Sequence, residues 1–130
     1  VITQARAPEF VELPLPKDSR FPEGYARQSR LPDGLVSRQR DHLRFRRHPT
    51  ASHKIGNDAD RVVWHGGNVI LTIESPRIAG ETYPDQGCSM EVYTNGGDAE
   101  YVELETLGPL RRLAVGESTT AVNRYRLDRR

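Results

Sequence analysis

The sequence predicts an all-β protein, a mostly antiparallel β-sandwich with a proline-rich, irregular N-terminal third. Three observations carry that prediction. Gly66-Gly67 separates two β-branched runs, Arg61-Val62-Val63-Trp64-His65 and Asn68-Val69-Ile70-Leu71-Thr72-Ile73, and a tight hairpin turn needs the positive φ that glycine adopts freely. A second pair of runs, Cys88 to Thr94 and Glu100 to Leu107, flanks Asn95-Gly96-Gly97-Asp98. Runs of this kind recur at near-regular spacing with turn residues between them, the pattern of sandwiches and barrels.

Taken in order, the first third is broken by Pro8, Pro14, Pro16, Pro22 and Pro32 into extended pieces too short for a long helix. Phe10-Val11-Glu12-Leu13 reads as a strand, with Pro14 and Pro16 confining its end to a sheet edge. Asp33-Gly34 marks a turn. Leu35, Val36, Gln39, His42 and Leu43 fit a short amphipathic helix, whereas Leu43 and Phe45 alternate as in a strand; a loop or helical turn followed by a strand is expected. After the two hairpins, Pro109 breaks the chain, Gly116 turns it, and Thr119 to Leu127 alternates as a last strand. The expectation is one domain, residues 1–130, with an irregular, edge-strand region over 1–50 and a β-hairpin core over 51–130.

Seventeen arginines stand against two lysines, yet 19 Lys+Arg nearly balance 18 Asp+Glu, for a net charge of +1. Binding to nucleic acid through bulk charge needs a cation excess that is absent here. The most apolar run, Val69 to Ile73, is far short of a membrane span, and the N-terminus lacks a charged-then-apolar signal layout. The first residue is Val1 rather than Met, so a processed, trimmed or partial product is expected. A lone Cys88 cannot form an internal disulfide or a cysteine-rich zinc site, and a cytoplasmic location fits. His42, His48, His53 and His65 match no helix-borne ligand pair, so no metal is expected. No phosphate loop, nucleophile elbow or dinucleotide fingerprint is present, and no cofactor is expected.

The hairpin from Cys88 to Leu107 carries the most chemistry. Alternation sets Met90, Val92 and Thr94 on one face and Glu91 and Tyr93 on the other, while Tyr101, Glu103 and Glu105 oppose Val102, Leu104 and Thr106. With the apolar sets inward, Glu91, Tyr93, Tyr101, Glu103 and Glu105 gather on one surface. Rings stack on sugar C–H faces and carboxylates accept hydroxyl hydrogen bonds. Crowded carboxylates also raise one another's pKa, as a general base requires. The same pattern fits an ordinary solvated sheet face. Arg38, Arg40, Arg44, Arg46 and Arg47, with only Asp41 among them, fit contacts to phosphate or a partner's carboxylates, or simply an exposed face.

The stretch Tyr83-Pro84-Asp85-Gln86-Gly87-Cys88-Ser89-Met90-Glu91-Val92-Tyr93-Thr94-Asn95 resembles a segment of uncharacterised bacterial proteins with the galactose-mutarotase-like supersandwich fold. So does Tyr101 to Leu110, followed by Leu113 to Ser118. His53-Lys54-Ile55-Gly56 is similar to that family's Lys-x-Gly element, and Val1 to Gln4 and Pro14 to Tyr25 to its middle section. The resemblance implies an abbreviated supersandwich corresponding to a C-terminal half, because members are about twice as long. Characterised mutarotases use a glutamate base and a histidine acid. Glu91 would stand for the glutamate, the histidine would come from the other half, and His53 or His65 would be a substitute. A half-sandwich leaves edges and an apolar face uncovered, so a homodimer is expected.

Two functions are therefore expected as alternatives. One is a carbohydrate-binding or vestigial aldose-mutarotase-like module, with Glu91 as its catalytic candidate and Tyr93, Glu103, Glu105, Trp64 and His65 as sugar contacts. Trp64 is either a stacking platform or a hairpin anchor. The other is a non-catalytic module for self-association or a protein partner. Any activity would be that of an aldose epimerase-like isomerase, and the chain alone is not expected to be active.

Overall fold

A computed structural model describes residues 1–130. The alternating runs form eleven strands: β1 (Ile2–Arg6), β2 (Phe10–Pro14), β3 (Ala26–Arg27), β4 (Val36–Arg38), β5 (His42–Phe45), β6 (His53–Asn57), β7 (Arg61–Gly66), β8 (Val69–Glu74), β9 (Met90–Thr94), β10 (Tyr101–Thr106) and β11 (Arg124–Arg129). The only helical piece is a 3₁₀ turn at Asp85–Gly87, and no helix is long and apolar enough to cross a membrane. The strands make two antiparallel sheets, ordered β1-β10-β9-β6-β3 and β11-β8-β7-β2-β5-β4, so the fold is the all-β sandwich that the alternation predicts.

Thirteen buried apolar residues fill the space between the sheets. Val11 and Leu13 (β2), Leu43 and Phe45 (β5), and Val62 and Ile73 meet Ile55, Met90, Val92, Val102 and Leu104 from the opposite sheet. Burying each such side chain stabilises by roughly 1.5–3 kcal/mol. Five of these thirteen residues come from residues 1–50, so the N-terminal third contributes to the core of the sandwich.

Three local expectations change. First, residues 36–45 form a hairpin rather than a helical turn, with Val36 opposite Phe45 and Arg38 opposite Leu43. The inward positions of Leu43 and Phe45 require period-two geometry, and a helix would turn one of them outward. Second, β2 is an interior strand that pairs with β5 on one side and β7 on the other. It tolerates its proline because the β7 ladder ends at Glu12, two residues short of Pro14. Third, the last strand starts at Arg124 rather than Thr119.

The β7–β8 turn also differs in detail. Gly66 pairs with Val69 as the end of the ladder, and only Gly67, at φ 59°, is left-handed. Positive φ at the first of two central residues is the glycine-first form of the tight hairpin turn. Gly66 has another reason to be glycine: a Cβ there would lie 1.9 Å from Trp64 Cη2, because the indole lies across it.

Candidate functional site

Register places the polar residues of the five-stranded sheet in two cross-strand rows on its outer face. In one, Gln4 lies opposite Glu103, Glu103 opposite Tyr93, and Tyr93 opposite Lys54. In the next, Ile2 lies opposite Glu105, Glu105 opposite Glu91, and Glu91 opposite Gly56. The surface expected from alternation is therefore assembled, with Tyr101 on the same face. The Tyr93 and Tyr101 rings lie 6.3 Å apart at 46°.

Glu91 behaves differently from its neighbours. It is on this face by parity but has 0% exposure, so the expectation that it meets solvent with the others is corrected. The Gln28 side-chain amide donates to its Oε1. The Lys54 ammonium sits 2.8 Å from its Oε2, as an ion pair rather than a well-aligned hydrogen bond. Gly56 makes this burial possible: a Cβ there would come within 3.0 Å of Glu91 Cγ and 2.8 Å of Cys88 Sγ. Cys88 is itself fully buried. Burial first, and then the charges of Glu91, Asp85 and Asp58, push its thiol up to about 12, so it is a packed, protonated group rather than a nucleophile.

Lys54 bridges two carboxylates. Its Nζ lies 3.0 Å from Glu105 Oε1 and donates to Oε2 at 3.1 Å. Partial burial acts to lower its pKa, but pairing with the carboxylates of Glu91 and Glu105 outweighs that, and the net shift is upward. The Lys54 side chain keeps 31% of its surface exposed, so the ammonium is charged and fixed on a side chain that still meets solvent. Tyr93, Tyr101 and Glu103 are half-buried. The resulting face offers two rings, a fixed cation and carboxylate acceptors, all carried on rigid strands.

No histidine shares this face. His53 has the inward parity of Ile55. Burial, followed by the charge of His48, lowers its pKa. His42 and His65 belong to the other sheet, and His48 lies in the loop between β5 and β6. The glutamate–histidine pair implied by the resemblance is not assembled around Glu91.

The remaining candidates lie elsewhere. Trp64 faces inward from the six-stranded sheet, donates from Nε1 to the Arg6 carbonyl at 3.0 Å, and lines an open groove with Leu127, away from the face that carries Tyr93 and Glu103. His65 lies on the outer face of that sheet, stacked on Phe10 at 4.4 Å between centroids. Its Nδ1 faces Arg130 Nη2 at 3.0 Å and must accept, while its Nε2 lies 3.3 Å from Glu12 Oε2 without the alignment of a hydrogen bond. His42 Nε2 lies 3.3 Å from the other Glu12 oxygen, so this cluster is charge-compensated within the chain. No group of three His, Cys, Asp or Glu side chains is arranged to hold a metal ion. The arginine run is divided: Arg44 and Arg46 lie over the Phe10 ring, whereas Arg47 donates to the carbonyls of Asn95 and Gly97 and holds the β9–β10 turn.

Sequence reasoning did not select Gln28 and Lys54 as site residues. Lys54 was accessible to it, because Ile55 inward forces its neighbour outward. Gln28 follows the two-residue strand β3, whose pairing no pattern announces. No known protein family, curated protein or solved structure matches the chain.

Proposed function

We propose that the chain is a carbohydrate-binding module whose recognition surface is the outer face of the five-stranded sheet. The observation that carries this reading is the cross-strand row Glu103–Tyr93–Lys54 beside Tyr101. It joins ring faces for sugar C–H groups to a fixed donor and acceptors for hydroxyls. The mutarotase-like resemblance points to the same ligand class. Glu91 then serves as the buried counter-charge that positions Lys54 rather than as a base, because a general base must reach the proton it removes.

Heteronuclear NMR titration with a panel of aldoses and short oligosaccharides tests the proposal. The expected result is saturable shifts confined to Tyr93, Tyr101, Lys54 and Glu103 and their strand neighbours, abolished in Tyr93→Ala. Absence of shifts on this face across the panel overturns it.

A second reading, self-association, is favoured by a separate observation. β1 and β11 are free edges of the two sheets, and they lie on the same side of the sandwich, where Thr3 Oγ1 and Tyr125 Oη are 2.9 Å apart. Between the sheets at that side opens a groove of about 650 Å³ lined by residues including Pro8, Trp64, Val69 and Leu127. Leu127 is 70% and Tyr125 51% exposed. Exposed apolar side chains along an open strand edge mark association sites.

A further inference from the structure

The geometry points to a particular symmetric contact: two copies of the chain pair their β11 strands antiparallel about a two-fold axis through Leu127, which joins two six-stranded sheets into one. The pairing presupposes the self-association reading above and adds to it the strand, the register and the charges that select it.

The backbone supplies the first argument. Leu127 pairs with Leu71 and Arg126 with Thr72 across β8, and in the same register the Arg130 N–H donates to the Asn68 carbonyl at 3.0 Å. Bonding alternates along an antiparallel ladder. Arg124, Arg126 and Asp128 therefore direct their main-chain groups at β8, and Tyr125, Leu127 and Arg129 direct theirs at the open edge. A two-fold axis through Leu127 sets Leu127 against its own copy and Tyr125 against Arg129, so all three outward residues find partners in both strands.

Charge supplies the second argument, because it sets opposite signs against each other at the centre of this register. With the axis at Leu127, each Arg126, already paired with Asp128 of its own strand at 2.8 Å, faces the Asp128 of the other copy, so these four groups alternate in sign. Arg124 faces Arg130, whose guanidinium is held at the strand end by Glu9 at 3.0 Å. Moving the axis by one residue sets either Arg126 against Arg126 or Asp128 against Asp128, and like charges directly opposed destabilise a sheet. An isologous contact must be self-complementary in this way. Packing is the third argument. Tyr125 and Leu127 lie on the inward-facing side of β11, next to the groove lined by Trp64 and Val69, so pairing brings two Leu127 side chains together over apolar surface that is otherwise wet.

Size-exclusion chromatography with light scattering, on the parent chain and three variants, tests the pairing. The parent is expected at twice 14.7 kDa when loaded at about 100 µM, a concentration at which micromolar dimers are populated. Arg126→Asp and Asp128→Arg each place like charges opposite one another and are expected to weaken the dimer by about tenfold or more. The exchanged variant R126D/D128R restores opposite charges and is expected to recover the parent's dimer. All six β11 residues are exposed, so circular dichroism of every variant is expected to match the parent. A monomeric parent overturns self-association and the β11 pairing together. A dimer insensitive to the single substitutions, or one that the exchange fails to restore, overturns the β11 pairing while self-association stands.

Discussion

Lys54 holds two carboxylates at once, and its loss would be felt unequally by them. Glu105 retains some contact with water, but Glu91 has none. Lys54→Met would therefore strand a charge in the interior, and breaking a buried pair from one side costs about 3–5 kcal/mol. Urea unfolding is expected to show a loss of that order for Lys54→Met, and a smaller one for the double variant with Glu91→Gln, because the double removes the stranded charge. Equal losses in the single and double variants would contradict the pairing. His53 provides a second test at this scale. Neither of its ring nitrogens has a hydrogen-bond partner, and its folded pKa lies below the ordinary 6.5. In the interval below 6.5 the unfolded chain binds the extra proton, so the contribution of neutral His53 is fully present above that value and is lost as pH falls through the window. Denaturation midpoints measured from about pH 5 to pH 7 are expected to rise with pH, and to rise less steeply in His53→Leu.

At the scale of elements, turns and pairings were legible to different degrees. The β7–β8 and β9–β10 hairpins were plain in the sequence, because glycine-containing turns between alternating runs leave few other conformations. The β4–β5 hairpin was obscured by Gln39 and Asp41 in its turn, which carry no left-handed signal, and by Leu35 and Val36, whose spacing from Leu43 also fits a helix. The interior position of β2 was hidden for a different reason: Pro14 suggests an edge, and only the neighbouring strand's length shows that the ladder ends before it. Packing at the β7–β8 turn is testable through the single tryptophan. Gly66→Ala drives a methyl group into the indole, a steric conflict that typically costs 1–3 kcal/mol. A red shift of Trp64 emission with a lower melting temperature is expected, and an unchanged spectrum would show that the indole does not lie across Gly66. In the opposite half of that sheet, Phe45→Ala is expected to cost about 3–5 kcal/mol in urea unfolding, as a fully buried ring should. A loss below about 1 kcal/mol would show that the N-terminal third does not share the core.

For the whole molecule, alternation identified the sandwich and the face on which Glu91, Tyr93, Tyr101, Glu103 and Glu105 meet. It did not separate the buried member from the reachable ones, because parity assigns a side of a sheet and says nothing of what covers it. Gln28 covers Glu91 from a segment distant in sequence, and no periodicity relates that segment to β9. Trp64 and His65 were grouped with the hairpin face on residue type alone, and the topology places them in the other sheet. What remains on the outer face of the five-stranded sheet is a fixed ammonium flanked by tyrosines and carboxylates, and the proposed sugar binding depends on that arrangement. The most direct test is an NMR titration of the parent chain and Tyr93→Ala against the saccharide panel. At least one saccharide is expected to give saturable shifts at Tyr93, Tyr101, Lys54 and Glu103, with the response lost in the variant. A flat response on that face throughout the panel, or an equal response in Tyr93→Ala, would contradict the account.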